Sequence, residues 1–271
     1  RAHRVAEREQ RLKQREREIE RESRAGARRY LLDARAEIER TIRDLKKSLD
    51  HAFPIIHVRQ EHEGCRKQIL VNEAVRQSSG DYLIFTDGDC TVHKDCIETH
   101  IKYSDPDAIL AGQRVQVGKE LTEKILNNGI VLNSLTLELL MDFIRRRSHH
   151  SKEAFVIKNR LIRSLLKKDR IKYETSVIGC NCSLYKQLFM DINGYDEDFQ
   201  GFGDEDADLG VRIVNQGKTI KSVRNLAIVF HLYHPGTWDM TTDKFKHNAL
   251  IKKKRIENKE TVCKNGIKKL P

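Results

Sequence analysis

Apolar residues recur along this chain in two different rhythms. Over residues 1–50, Val5, Leu12 and Ile19 stand seven apart, and Leu31, Ile38, Ile42, Leu45 and Leu49 follow in steps of seven, four, three and four. That is the spacing of a coiled-coil seam on a long charged helix. The segment is built of Arg, Glu, Ala and Lys without proline, a helix-favouring composition that supplies only a thin apolar stripe. The stripe suits either a solvated helix or self-association, and residues 23–26 interrupt it. His51-Ala52-Phe53-Pro54 ends the segment, because Pro54 lacks the N–H and disfavours helical geometry at Phe53.

Beyond Pro54 the rhythm becomes that of an α/β domain. Residues 55–58 read as a short strand. Residues 66–77 then place Ile69, Leu70, Ala74 and Val75 on one helical face. Tyr82-Leu83-Ile84-Phe85 is a continuous apolar run, the mark of a buried strand. Strand, helix, strand in this order predicts parallel pairing with a right-handed connection. A helix over 94–103 and a strand over 109–117 follow. Residues 120–170 read as mostly amphipathic helix, with Ile125, Leu132, Leu135, Leu139, Phe143, Phe155, Ile162 and Leu166 as its apolar positions. An extended stretch over 177–183 carries small residues suited to a backbone approaching a ligand. The acids of 204–208 open a helix that runs through Leu209, Ile213 and Val214 to Gly217, and 219–223 and 227–232 are strands. The Lys-rich residues from 251 are predicted to fray or to touch an acidic surface. The domains are therefore a helical segment over 1–50, an α/β domain over 51–249 and a basic tail over 250–271.

Charge refines this picture. The net charge is +11, yet residues 1–50 hold 16 basic and 11 acidic groups and 251–271 hold 8 and 2, so the middle is neutral. Nucleic acid is a poor partner, since the arginines of the helix are interleaved with glutamates that repel phosphate. The basic ends suit peripheral contact with an anionic membrane face. Arg145-Arg146-Arg147 with His149 and His150 reads as a solvated helix end. The six cysteines include no Cys-x-x-Cys pair, which points to reduced thiols in a cytoplasmic protein. No apolar run approaches the roughly 20 residues of a membrane span, and no signal-peptide core is visible. The chain begins at Arg1 and is read as a fragment.

Three groups of side chains carry the candidate chemistry. Asp87-Gly88-Asp89 follows the strand of 82–85, where open α/β sheets bind ligands. Two carboxylates spaced by glycine can hold a hard divalent cation and the phosphates that come with it, although Asp-Gly-Asp is also ordinary turn chemistry. Asp204-Glu205-Asp206-Ala207-Asp208 carries more acid than capping a helix requires, and crowded carboxylates raise one another's proton affinity. His231 and His234 lie at a later strand end, placed to bind a metal.

These residues carry a resemblance. From about residue 56 to Pro235 the chain resembles a family 2 glycosyltransferase of the GT-A fold, and its C-terminal half is similar to the galactosyltransferase-like region of chondroitin-polymerase and β-1,4-galactosyltransferase relatives. The matching stretches are His57-Val58-Arg59-Gln60-Glu61 with Arg66-Lys67 and Asn72; Asp87-Gly88-Asp89; Gly179-Cys180-Asn181; the run from Asn193 to Phe199; Gly201-Phe202-Gly203 with Glu205, Asp206 and Asp208; and His231 to His234. The resemblance implies a Rossmann-like, mostly parallel sheet with flanking helices, preceded here by the long charged helix.

It also implies transfer of a sugar from a nucleotide-sugar donor, a UDP-sugar, to a hydroxyl of a glycan acceptor with inversion, in surface polysaccharide synthesis. In that reading Asp87 and Asp89 hold Mn²⁺ or Mg²⁺, His231 and then His234 complete the metal site, and Arg66 and Lys67 approach the donor. Asp206 is the general base, Glu205 binds the acceptor or orients the base, and Phe202, Gly203 and Asn181 meet the acceptor on a mobile loop. The first two strands of the family, which grip the nucleotide base, have no counterpart. Residues 1–50 stand in their place and loosely resemble a MutS2 helical segment. Two other readings stand beside this one: a glycosyltransferase remnant without donor binding, and a coiled-coil interaction protein.

Overall fold

A computed structural model describes residues 53–60, 66–128, 151–172, 176–235 and 241–271, with scattered positions in 15–47 and 139–145. The chain divides into two units, residues 1–57 and 58–271. The seam positions of the first unit lie outside the described residues. No described helix is long and apolar enough to cross a membrane.

The second unit is α/β. Helix α1 is Lys67–Gln77 and leads to β1, Tyr82–Phe85. Strand β2 (Cys90–Val92), helix α2 (Cys96–Lys102) and strands β3 (Ala108–Ala111) and β4 (Gln113–Gln116) follow. Helix α3 is Lys119–Asn128, Ser151–Ala154 is a 3₁₀ turn, and α4 is Arg160–Leu165. Strand β5 (Cys182–Tyr185) runs into α5 (Lys186–Asp191), and α6 is Glu205–Asn215. Strands β6 (Thr219–Ser222) and β7 (Ile228–His231) precede the C-terminal α7, Asp243–Asn258.

The strands form two sheets, one of four in the order β1-β5-β3-β6 and one of three in the order β2-β7-β4. Pairing is mixed and not mostly parallel. β5 runs antiparallel to both β1 and β3, β2 is antiparallel to β7, and only β3–β6 and β4–β7 are parallel. The parallel expectation rested on a strand at 55–58 preceding α1. That stretch is irregular, and Ile56 is 53% exposed. β1 is consequently an edge strand among the described residues.

The single strand expected over 109–117 is two, and Gly112 is the reason. There the chain leaves one sheet for the other, and a Cβ at Gly112 would lie 2.3 Å from the Asn181 side chain. The main core lies between the four-stranded sheet and α1, α5 and α6, with Leu83, Ile109, Leu184, Phe189, Leu209 and Ile213 at its centre. A second cluster joins Val115, Leu121, Ile125, Leu139 and Phe230.

Helix α1 does not bury its apolar side as expected. Gln68, Asn72 and Val75 face inward, while Ala74 is exposed. The Asn72 side chain donates to the Tyr195 carbonyl and accepts from its N–H, at 2.9 and 2.8 Å, which fastens the helix to the loop before α6. The expected apolar face over 155–166 is also corrected: Phe155, Ile162 and Leu166 are exposed.

The basic tail does not fray. Arg255 lies 2.9 Å from Asp208, which also pairs with Arg212 at 2.7 Å, and all three side chains are nearly or fully buried. Lys252 pairs with Asp204 and Lys269 with Glu197. Asn193 donates to the carbonyls of Cys263 and Lys268 at 2.8 Å each. The acidic surface that these cations meet belongs to their own domain.

Candidate functional site

The acidic stretch after β1 is a β-turn. The Cys90 N–H donates to the Asp87 carbonyl at 3.1 Å, so the chain reverses at Gly88 and enters β2. Pairing of β2 with β7 sets Cys90 opposite His231, and the Leu232 N–H donates to the Asp89 carbonyl at 2.9 Å. This ladder carries Asp89 to the histidines. Its Oδ2 lies 3.4 Å from His231 Nε2 and 3.2 Å from His234 Nε2. Asp89, Cys90 and His231 each offer a ligand atom within 4.8 Å of the others. Adjacent ligands of a six-coordinate ion with bonds of about 2.1 Å stand about 3 Å apart, so the carboxylate and imidazole spacing suits a divalent cation. Burial, reinforced by Arg114 and His234, holds the His231 pKa below the usual histidine value against the pull of Asp89. A neutral imidazole is the form that binds metal.

The other carboxylate of the turn faces a different way. Asp87 Oδ1 lies 3.2 Å from Lys67 Nζ, and Lys67 is in turn 3.7 Å from Asp206 Oδ1. Burial alone would lower the pKa of Lys67, but Asp206, Asp87 and Glu205 together raise it above the usual lysine value. It therefore stays charged. Asp206 sits in the first turn of α6. Its Oδ1 accepts from Tyr195 Oη at 2.8 Å and its Oδ2 from the Gly179 N–H at 2.7 Å. A Cβ at 179 would lie 2.5 Å from Asp206 Oδ1 and 2.6 Å from Lys67 Nζ, so any other residue there would displace the ends of those two side chains.

Glu205, one residue earlier, is 7% exposed and accepts from the Gly203 N–H at 2.7 Å. Burial, and then the neighbouring Asp206, push its pKa up from 4.5 to about 7. The two adjacent carboxyl groups thus have different surroundings. Asp206 is oriented by a phenol, an amide and a cation, and Glu205 titrates near neutral pH.

Other expected residues fall at varied distances from this centre. Arg66 stands immediately before α1, its carbonyl accepting from Gln60 Nε2 at 3.2 Å. Phe202 is half-exposed, and Gly203, at φ +107°, lies against the Phe245 ring of α7. The loop is tethered: Asn248 accepts from the Gln200 N–H at 2.9 Å and donates to the carbonyls of Gln200 and Gly203 at 3.0 Å each. Asn181 does not face an acceptor. It is 1% exposed, donates to the carbonyls of Gln113 and Ala227 at 2.7 and 3.0 Å, and its Oδ1 meets His100 Nε2 at 2.9 Å. It holds the two sheets together.

Sequence reasoning missed Cys90, Tyr195, Gly179 as a donor, and the pair Arg114 and Cys180. Arg114 Nη1 lies 3.6 Å from the buried Cys180 sulfur. A hydrogen bond from Cys90, opposed by burial and aided by Arg114, lowers the Cys180 pKa, and the same contact raises that of Cys90. Gly179 and Cys180 stood in a quoted motif, but nothing in the spacing said that the Gly179 amide would meet Asp206.

Comparison with known proteins gives the family. The glycosyl transferase family 2 profile matches residues 35–189, and a profile described as the N-terminal domain of galactosyltransferase matches 160–235. The first match begins inside the segment read as a separate helix. The chain is 26% identical to the uncharacterized glycosyltransferase YfnE of Bacillus subtilis, over 73% of this chain and 55% of the relative. It thus spans about half the length of that relative. Among solved structures, GalNAc-T7 with UDP, GalNAc and Mn²⁺ is 12% identical at a TM-score of 0.45, covering 73% of this chain and 37% of that one. TarS 1–349 of S. aureus in complex with UDP-GlcNAc is 15% identical at a TM-score of 0.47, covering 80% and 54%.

Proposed function

Because the chain belongs to glycosyl transferase family 2, we propose that it transfers a sugar from a UDP-sugar to a hydroxyl of a glycan, with inversion and with a divalent cation, in surface polysaccharide synthesis at the cytoplasmic face of a membrane. The observation that carries the reading is the convergence of three separate acidic and basic motifs. Lys67 bridges Asp87 and Asp206, and Asp89 meets His231 and His234.

Asp89 and His231 would hold Mn²⁺ or Mg²⁺, with the more exposed His234 as a third ligand, while Asp87, expected as a ligand, faces Lys67 instead. Bound there, the ion would offset the charge that develops on the diphosphate leaving group. Asp206 takes the proton of the acceptor hydroxyl as its oxygen bonds to the anomeric carbon and the bond to the diphosphate breaks. Tyr195 and Gly179 fix the direction in which this carboxylate points. Lys67 keeps a positive charge between the base and the metal pair and, with Arg66, faces the donor. Glu205 holds the turn of Gly203 and orients the acceptor side.

The test is UDP release from UDP-sugars with Mn²⁺ and a glycan acceptor. Turnover that Asp206→Asn abolishes is expected, and no turnover with any donor would remove the reading. The edge position of β1 among the described residues favours a second reading, in which this length of chain keeps its metal and acceptor surfaces but holds no donor. Calorimetry with UDP and Mn²⁺ separates the two, since micromolar UDP binding excludes the second.

A further inference from the structure

The most exposed large hydrophobic side chains of the described domain lie on the segment around α4. Leu161 is 75% and Leu165 80% exposed, the highest values among its large hydrophobics, and Ile162, Leu166 and Phe155 stand beside them at 47, 53 and 43%. Positions 161 and 165, and 162 and 166, are one helical turn apart and form a single outward face. Lys158, Arg160, Lys167, Arg170 and Lys172 are exposed around it. The two acids of this stretch, Glu153 and Asp169, are both engaged by cations of the domain. Asp169 pairs with Arg163 at 2.7 Å, and Glu153 pairs with Lys168 at 3.2 Å and with Arg224.

The segment is held from beneath. Asn159 caps α4 by accepting from the N–H groups of Leu161 and Ile162 at 2.9 and 3.2 Å. The buried Arg163 donates to the carbonyls of Ser222 and Arg224, and the Ser222 hydroxyl donates to the Lys168 carbonyl at 2.6 Å. Two cations thus point inward to partners while four aliphatic side chains are kept outward. A water-soluble surface gains nothing from that ordering, because each of those side chains faces solvent.

We infer that residues 155–172 form a docking surface for an anionic membrane, the aliphatic face entering the headgroup region and the basic rim meeting lipid phosphates. Charge decides the occupant. A protein interface is depleted of charge at its core and polar at its rim, whereas here an apolar centre is ringed by five exposed cations against one exposed acid, Asp169, itself paired with Arg163, as on interfacial amphipathic segments. Nucleic acid would set its phosphates against the leucines. The turn that clamps the segment precedes β7, and His231 lies at the far end of that strand, about 10 Å of extended chain away. The expected contact is also distinct from one through the basic C-terminal residues, of which Lys252, Arg255 and Lys269 are engaged within the domain.

The experiment is co-sedimentation of the full chain with vesicles of one part phosphatidylglycerol to two parts phosphatidylcholine, beside vesicles of phosphatidylcholine alone. Binding to the anionic vesicles, weak binding to the neutral ones, and a loss of about tenfold or more in Leu161→Gln with Leu165→Gln are expected. Lys158→Glu with Lys167→Glu should weaken binding at low salt and matter less at high salt. All four positions are exposed, so thermal melting is expected to stay unchanged, and it serves as the folding control. The inference is overturned if the protein ignores anionic vesicles, or if the leucine variant binds them as well as the parent. It is equally overturned if sedimentation equilibrium shows a dimer that the leucine variant breaks while vesicles stay unbound, since a second copy then covers this face.

Discussion

Replacing Glu205 by glutamine should make the protein more stable at alkaline pH while impairing its chemistry. Glu205 is 7% exposed, and its carboxyl pKa stands at about 7 in the folded chain against 4.5 when free. Between those two values the folded protein binds a proton that the unfolded chain has released. Stability therefore falls as pH rises through this window and stays low above it. A full shift of that size corresponds to about 3 kcal/mol, at roughly 1.4 kcal/mol per pH unit. The charges of Asp206 and Lys67 act on the same carboxyl in opposite senses, so about 1 to 3 kcal/mol is the realistic range. Glutamine is isosteric and keeps an oxygen to accept the Gly203 N–H, now bonded at 2.7 Å.

Urea unfolding in chelator, compared at about pH 5 and about pH 8, measures this. The variant should match the parent at the lower pH and exceed it by about 1 to 3 kcal/mol at the higher. UDP release, if present, should fall in the same variant, since a charge placed for function often costs stability. An offset equal at both pH values would refute the reasoning, because burial of the charged form would then not be what the glutamate costs. A variant less stable than the parent at the higher pH would refute it more strongly.

Three other outcomes follow from the same geometry. Asp208→Asn, at a fully buried position between Arg212 and Arg255, leaves Arg212 without its acid and Arg255 with Asp196 as its remaining buried one, and should cost about 3–5 kcal/mol in urea unfolding. Gly112→Ala forces a methyl to within 2.3 Å of the Asn181 amide and should cost about 1–3 kcal/mol, read as a lowered melting temperature. Calorimetric titration with Mn²⁺ should show binding weakened about tenfold or more in Asp89→Asn, and more in His231→Gln than in His234→Gln; the order follows from burial, His231 being 15% exposed at its side chain and His234 46%.

Elements whose own side chains face a core were legible from periodicity. β1 was bounded by its four apolar residues, and α6 by the acids before it and Gly217 after it, because each buries its own pattern. What stayed hidden was pairing. Whether Cys90 lies opposite His231 depends on a register between strands 141 positions apart, and no local pattern of either strand specifies its partner. Buried polar residues misled for a related reason. Asn72 stood in a family motif and Asn181 read as acceptor-facing, but their partners are main-chain and side-chain groups supplied by distant segments. The C-terminal cations read as a tail that frays or touches an acidic surface, because Asp204 and Asp208, which hold Lys252 and Arg255, were read as part of the acidic cluster opening α6. Arg255 and Lys252 instead make that acidic region part of the scaffold and leave Glu205 and Asp206 to face the site.

The Asp87-Gly88-Asp89 stretch shows how a turn and a binding site can be the same object. Read along the chain, turn chemistry and cation binding are competing explanations of two carboxylates around a glycine. The structure has the turn, with its Asp87 carbonyl to Cys90 amide bond at 3.1 Å, and the turn is what separates the two side chains. In an extended strand, residues two apart share a face, and both carboxylates would address one partner. Here the reversal sends Asp87 toward Lys67 and through it toward Asp206, while the β2–β7 ladder delivers Asp89 to His231 and His234. One four-residue turn therefore joins the side of the site suited to a cation to the side that holds the candidate base. Lengthening it by a single residue should uncouple them. Metal affinity would be kept if β2 held its register, while the link between Asp87 and Lys67 would be broken.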